Sequence, residues 1–126
     1  MKLETKRLIL RKPNKKDAND IVEGLNDLEV SKNMTYIPYP YKRKDAVKFI
    51  RKANKNWKQG KAYDFAIVLK SEKKVIGSIG LGGIDKFNGT GMIGYWISRK
   101  YWRNGYITEA KKAVNDFAFY KLKLRK

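Results

Sequence analysis

The sequence predicts an α+β domain in which a mostly antiparallel sheet is flanked by helices. Three strand-like segments follow one another, Tyr63 to Lys70, Lys74 to Asp85 and Thr90 to Ile97, with only short turns between them. Helical periodicity brackets this meander, twice before it and once after. The strict strand–helix alternation of a doubly wound sheet is absent, which leaves an α+β arrangement.

Each element has a local reason. "TKRLILRK", Thr5 to Lys12, has the length and β-branched content of a strand and is ended by Pro13. Asn14 followed by Asp17 predicts a helix N-cap with an acidic first turn. Ala18, Ile21, Val22, Leu25 and Leu28 then form one helical stripe. In "MTYIPYPY", Met34 to Tyr41, two prolines exclude regular structure. The second helix presents Ala46, Phe49, Ile50, Ala53 and Trp57 on one face, and Gly60 supplies its stop. "SEKK" and "FNG" are the meander's turns, and Asn88-Gly89 is a hairpin signal. The last helix begins near Ile107 and turns Ala110, Ala113, Val114, Phe117 and Ala118 inward. No repeat or linker divides residues 1–126, so a single domain is expected.

Composition narrows the chemistry. The chain has 126 residues and is 42% hydrophobic, which favours a folded globule. It contains neither histidine nor cysteine. Ser-His and Cys-His catalysis, disulfides and nearly all transition-metal sites are thereby excluded, and no metal is expected. Chemistry must run on carboxylates, Tyr, Ser/Thr, Lys or backbone groups. No apolar run approaches the roughly 20 residues of a membrane span, and Met1 to Arg11 lacks the apolar core of a signal peptide. The expected compartment is the cytoplasm. The net charge of +18 has two readings: attraction to RNA, the ribosome or another anion, or a lysine-coated surface with no dedicated partner. Lys15, Lys16, Lys42, Lys44, Lys73, Lys74, Lys111 and Lys112 are spread along the chain, which favours the solvated surface.

The stretch "WRNGYITEA", Trp102 to Ala110, sits between the third meander strand and the last helix. There the N–H groups of Asn104 to Thr108 face outward at the positive end of a helix dipole, which is an anion site. Gly105 permits close backbone approach and Arg103 adds a mobile charge. Together, "IGSIGL" and "IGYWISRKYWRNGYITEA" resemble the GCN5-related N-acetyltransferase (GNAT) superfamily, and within it the Rim-type branch of ribosomal-protein N-terminal and small-amine acetyltransferases. The resemblance runs from "TKRLILR" to the end of the chain. It implies an α/β sandwich around a central, mostly antiparallel mixed sheet.

It also implies a pyrophosphate loop on Trp102, Arg103, Asn104, Gly105, Tyr106, Ile107 and Thr108, and a thioester held by backbone groups at a fourth-strand bulge near Trp96, Ile97 and Ser98. The implied donor is acetyl-CoA, and the implied acceptor is a primary amine of a small molecule, a peptide or a ribosomal protein N-terminus. Tyr36, Tyr39 and Tyr41 would border the acceptor site. Two positions depart from the pattern. Ile107 replaces a small residue in the loop, and Met92 stands where relatives often place a glutamate before "IGYW". With histidine absent, Asp85 is the base candidate, acting through water. The family's fifth strand, fourth helix and closing hairpin would follow "KLKLRK", so a sheet truncated before its fifth strand is expected. Its exposed edge would drive association into homo-oligomers. The alternative is a non-catalytic basic module that binds RNA or the ribosome on a degenerate acetyltransferase scaffold.

Overall fold

In the computed structural model, which describes residues 2–32, 34 and 37–124, five strands form one sheet in the order β1-β2-β3-β4-β5. These are β1 (Lys2–Glu4), β2 (Leu8–Arg11), β3 (Tyr63–Leu69), β4 (Lys74–Asp85) and β5 (Thr90–Ile97). Every pairing among them is antiparallel, so the expected mixed character does not arise among the described residues. The helices are α1 (Ala18–Leu25), α2 (Leu28–Ser31), α3 (Arg43–Gln59) and α4 (Tyr106–Tyr120). Among the described residues no helix is long and apolar enough to cross a membrane.

The N-terminal segment differs from the expected single strand. The Thr5 N–H donates to the Leu8 carbonyl at 2.9 Å, and the Leu8 N–H donates to the Thr5 hydroxyl at 3.0 Å. This closes a turn in which the threonine side chain does the work of a backbone acceptor. The expected strand, Thr5 to Lys12, is therefore shortened to Leu8–Arg11 and pairs in a hairpin with an unexpected strand before it, Leu3 standing opposite Leu10. The strand that the resemblance numbers fourth is consequently β5.

The Asn14 and Asp17 expectation holds. Both arms of a capping box are present, around a 3-10 turn that leads into α1. Asp17 is buried and receives two guanidinium bonds from Arg11, at 2.8 and 2.9 Å. The stripe beyond Leu25 fails, because α1 stops at Asn26 and Asp27 caps a new short helix. That break changes the helical phase and leaves Leu28 53% exposed. α3 follows expectation and ends on Gly60 in the left-handed region, φ 69°.

Alternation along the strands supplies both faces of the sheet with apolar side chains. Leu8, Leu10, Phe65, Ile67, Ile79 and Ile97 meet Ala110, Val114 and Phe117 of α4. On the other face Ala66, Val75 and Trp96 meet Ile21 and Leu25 of α1 and Ala46 and Ile50 of α3. Trp57 of α3 packs edge-on against Tyr63 and Phe65, with ring centroids 4.8 and 5.1 Å apart. Its indole N–H donates to the Asp64 carbonyl at 2.8 Å, which ties the start of β3 to the helix.

Gly24 shows how tightly α1 sits on the sheet. A Cβ there would lie 2.5 Å from Cζ3 of the buried Trp96. Gly24→Ala should therefore destabilise the fold by roughly 1–3 kcal/mol through overpacking, against about 1 kcal/mol gained in helix propensity. A lowered melting temperature is expected; an unchanged or raised one would mean that α1 and Trp96 part without penalty.

Candidate functional site

The site is assembled where β5 hands the chain to α4. Gly105 occupies the N-cap of α4 at φ 78°, and Arg103 is also left-handed at φ 66°. The first intrahelical bond runs from the Glu109 N–H to the Gly105 carbonyl, 3.1 Å. The N–H groups of Tyr106, Ile107 and Thr108 therefore have no helical acceptor, as the geometry of a helix start requires. Among the described residues no carbonyl accepts from Asn104 or Gly105 either. The loop thus presents a run of N–H groups at the positive end of a 15-residue helix. Ile107 packs against the apolar cluster beneath α4 and is turned into the protein, so its bulk does not face these donors.

The loop is braced from three sides. The Trp102 indole N–H donates to the Ile97 carbonyl at 2.8 Å. The Asn104 amide donates to the Tyr101 and Trp102 carbonyls at 3.0 and 3.1 Å. Arg7, at the turn between β1 and β2, donates through Nη1 to the Asn104 carbonyl at 2.8 Å and lies 4.5 Å from the Tyr106 ring centroid. Its backbone N–H and Nε both donate to Glu109, at 2.9 and 2.7 Å, and the Thr5 hydroxyl donates to the same carboxylate. Burial pushes the Glu109 carboxyl upward, but the bonds from Thr5 and Arg7 outweigh it and hold the group below the ordinary glutamate range. Sequence reasoning missed Arg7, because nothing local to the N-terminus announces a contact about 100 residues away.

Strand β5 forms the edge of the described sheet. The Ser98 N–H donates to the Ile76 carbonyl at 2.8 Å, and Trp96 stands opposite Ser78. Antiparallel strands alternate the direction of their backbone groups, so Trp96 and Ser98 direct theirs to β4, while Ile93, Tyr95 and Ile97 direct theirs to the open side. The expectation for the thioester is corrected accordingly. Trp96 and Ser98 offer no free backbone donor, and the expected bulge near them is absent from the β4–β5 register, which shifts only between Gly82 and Asp85. Of the three expected residues only Ile97 faces outward, and its carbonyl is already held by Trp102. Tyr95 joins it on that side.

On the α1/α3 face lies a cavity of about 770 Å3. Its walls include Tyr41, Ile37 and Pro38 of the proline-rich loop, Asp45, Lys48 and Lys52 of α3, and Asp64, Ser78, Gly80, Gly94 and Trp96 of the sheet. Tyr41 is 4% exposed, and burial, followed by the neighbouring Asp45 charge, pushes its hydroxyl up to about 12. Tyr39 points elsewhere, 52% exposed and outside the cavity lining. Tyr36 lies outside the described residues.

Asp85 does not reach the cavity. It sits in the β4–β5 turn, where the backbone N–H and side-chain amide of Asn88 donate to it at 3.1 and 2.7 Å. Those bonds hold its carboxyl below the ordinary range, the wrong direction for a base working near neutrality. Two carboxylates line the cavity, Asp45 and Asp64; Asp45 accepts the Lys42 N–H at 2.9 Å, whereas among the described residues no group donates to the carboxylate of Asp64. Burial pushes Asp64 above the ordinary aspartate range, with Lys52 pulling weakly the other way. Its signal in the sequence was a charged residue inside "YDFAIVL", on the same alternating face as Ala66 and Val68.

Residues 7–126 match the family model described as an acetyltransferase (GNAT) domain. A curated relative, the uncharacterized N-acetyltransferase p20 of Bacillus licheniformis, is 35% identical over 126 residues, covering 98% of this chain and 69% of its own length. A Vibrio cholerae structure, described as a ribosomal-protein-serine acetyltransferase, superimposes with a TM-score of 0.85 at 25% identity, covering 98% of this chain and 70% of that one. The ribosomal L7/L12 α-N-protein acetyltransferase RimL, solved with coenzyme A, shares the fold at a TM-score of 0.86 and 14% identity, covering 99% of this chain and 71% of that one.

The Glu109 tie has a pH signature. Because its folded-state carboxyl titrates lower than in the unfolded chain, its stabilisation is present above the ordinary glutamate range and is lost as pH falls through the lowered value. Glu109→Gln should melt below the parent at neutral pH, and the gap should close on acidification below about pH 4. Parallel melting curves at all pH values would show that the carboxylate charge contributes nothing to the brace.

Proposed function

We propose the following chemistry for a chain that belongs to the acetyltransferase (GNAT) family and is an acetyl-CoA-dependent transferase: it moves the acetyl group of acetyl-CoA to a primary amine by direct attack. The observation that carries this reading is the coincidence of three features at one end of β5. These are, among the described residues, a helix start with uncommitted N–H groups, an open strand edge, and a cavity that opens beside that edge.

In this reading Gly105 to Thr108 hold the pyrophosphate, with Arg103 adding charge from an exposed position. The amide-rich arm of the donor lies along β5 and pairs with the outward groups of Ile93, Tyr95 and Ile97. Its thioester carbonyl then reaches the backbone N–H of Tyr95 or Ile97, which stabilises the oxyanion that forms on attack. The amine enters from the cavity. Its nitrogen forms a bond to the carbonyl carbon, the C–S bond breaks, and CoA leaves as the thiol. An edge strand pairs with one neighbour at a time, so self-association through the same stretch of β5 would compete with the donor arm.

The acceptor is a small amine or a peptide or ribosomal-protein N-terminus, as for the ribosomal-protein acetyltransferases that share this fold. Acetyl-CoA should raise the melting temperature, while generic RNA at moderate salt should leave it unchanged. The reverse pattern would favour a basic RNA-binding module.

Gly105→Val tests the loop. Placing a β-branched residue at φ 78° costs about 1–2 kcal/mol locally and obstructs the approach to the N–H groups, so CoA binding by calorimetry should be lost while the fold persists. Ile107→Ala, whose side chain points inward, should bind CoA as the parent does. Unchanged affinity in the valine variant would overturn this turn as the pyrophosphate site.

A further inference from the structure

Among the described residues Asp64 is the one acidic side chain that accepts no hydrogen bond or ion pair. Of the 12 acidic side chains, the others each accept a hydrogen bond or an ion pair: Glu4 from Lys70, Asp17 from Arg11, Asp20 from the Val75 N–H, Glu23 from Lys74, Asp27 from Arg99, Glu29 from Lys32, Asp45 from the Lys42 N–H, Glu72 from Tyr101, Asp85 from Asn88, Glu109 from Arg7 and Asp116 from Lys112. Among the described residues Asp64 has no such partner, in a chain with 30 lysines and arginines. It is partly buried and lines the 770 Å3 cavity.

Its placement is built. The Asp64 backbone carbonyl is held by the Trp57 indole. The side chain lies over Gly80, its direct partner on β4, where a Cβ would come within 2.1 Å of Oδ1. Gly80 in turn stands opposite Gly94 of β5, beside which a Cβ would meet nothing within 4 Å. Asp64, Gly80 and Gly94 thus form one row across three strands, with a carboxylate at one end and no side chain on the next two positions. Neighbouring strands are about 4.8 Å apart. A group bonded to Oδ1 over Gly80 therefore sits about one strand spacing from the β5 edge.

We propose that Asp64 binds the ammonium group of the acceptor in this glycine trough and takes its proton, which makes it the base of the transfer. The proposal rests on the acetyl-transfer reading above. The acceptor enters as the ammonium ion and gives one proton to Asp64 Oδ1. The neutral nitrogen then attacks the thioester carbon at the β5 edge. As the C–S bond breaks, the second nitrogen proton passes to the departing sulfur, and Asp64 releases its proton to solvent. Its elevated affinity for protons suits the task. The charged and titratable groups around the cavity are Asp45, Lys48 and Lys52 of α3, Tyr41 of the proline-rich loop and Tyr95 of β5.

The test compares the parent with Asp64→Asn and Gly80→Ala, using acetyl-CoA with ethylamine and with a short peptide carrying a free N-terminal alanine. Asp64→Asn should lower kcat/KM by about 100-fold or more and remove the acidic limb of the pH profile, with acetyl-CoA affinity by calorimetry unchanged. Gly80→Ala keeps the carboxylate but displaces it, and should cause a loss of the same kind with the donor still bound. A turnover-independent readout is the Asp64 carboxyl 13C resonance, which ethylammonium should shift in the parent. A parent-like rate and acidic limb in Asp64→Asn, or a resonance indifferent to ethylammonium, overturns the assignment. A parent that binds acetyl-CoA and acetylates neither probe overturns instead the amine-transfer reading beneath it.

Discussion

The first turn of α4 is anchored by a carboxylate that reaches outside its own helix. Glu109 accepts from the Arg7 backbone, from Arg7 Nε and from the Thr5 hydroxyl, all in the turn between β1 and β2. Arg7 returns along the loop to the Asn104 carbonyl. The start of the helix is thereby fixed against the far end of the sheet, while Trp102 fixes it against β5. A helix advances about 1.5 Å per residue, so slippage by one residue would separate the free N–H groups from the strand edge they accompany. The ion pair is half-buried, with side-chain exposures of 41% and 19% for Arg7 and Glu109. Losing one partner would leave the other poorly solvated, which makes the brace structurally demanding as well as positional.

The sheet answers two conflicting requirements. Most of its area must be covered on both faces, and α4 on one side with α1 and α3 on the other do this. Yet a transfer between two bound molecules needs a stretch where nothing from the protein intervenes. Glycine in a strand interior weakens packing and marks a close approach, and Gly80 and Gly94 concentrate that weakness in one row. The compensation is immediate on either side. Trp96 fills the space under Gly24, and Trp57, Tyr63, Phe65 and Phe117 lock the start of β3 against both helical layers.

Signals that depend on neighbours in sequence were legible. The meander, the Gly60 stop of α3, the cap at Asn14 and the glycine-containing entry to α4 all follow from short-range chemistry. Directions set by pairing were not. Whether Trp96 or Ile97 turns its backbone outward depends on the register with β4, and whether Asp64 or Asp85 reaches the cavity depends on which strand crosses beneath the proline-rich loop. Asn26 stopped α1 where the apolar stripe ran on to Leu28, because the helical phase changed there, and the hairpin turn closed by the Thr5 hydroxyl had no signal in the apolar pattern. Of the described tyrosines in the aromatic loop only Tyr41 faces the cavity, the neighbouring prolines having set the path of the chain.

The charge distribution suits the proposed transfer from an anionic donor to a cationic acceptor. A net +18 produces an outward field that favours approach of a polyanionic nucleotide, whatever the fate of each lysine. The same excess of cations makes an unclaimed carboxylate hard to maintain, since any flexible lysine within reach would pair with it. Lys48 and Lys52 line the same cavity, yet neither closes on Asp64. The indole that holds its backbone and the glycine beneath its side chain set that carboxylate facing the cavity, where Lys52 acts on its charge without pairing with it. Under the amine-transfer reading proposed above, the helix start takes the anionic donor and Asp64 the cationic acceptor, so position alone separates the two binding events.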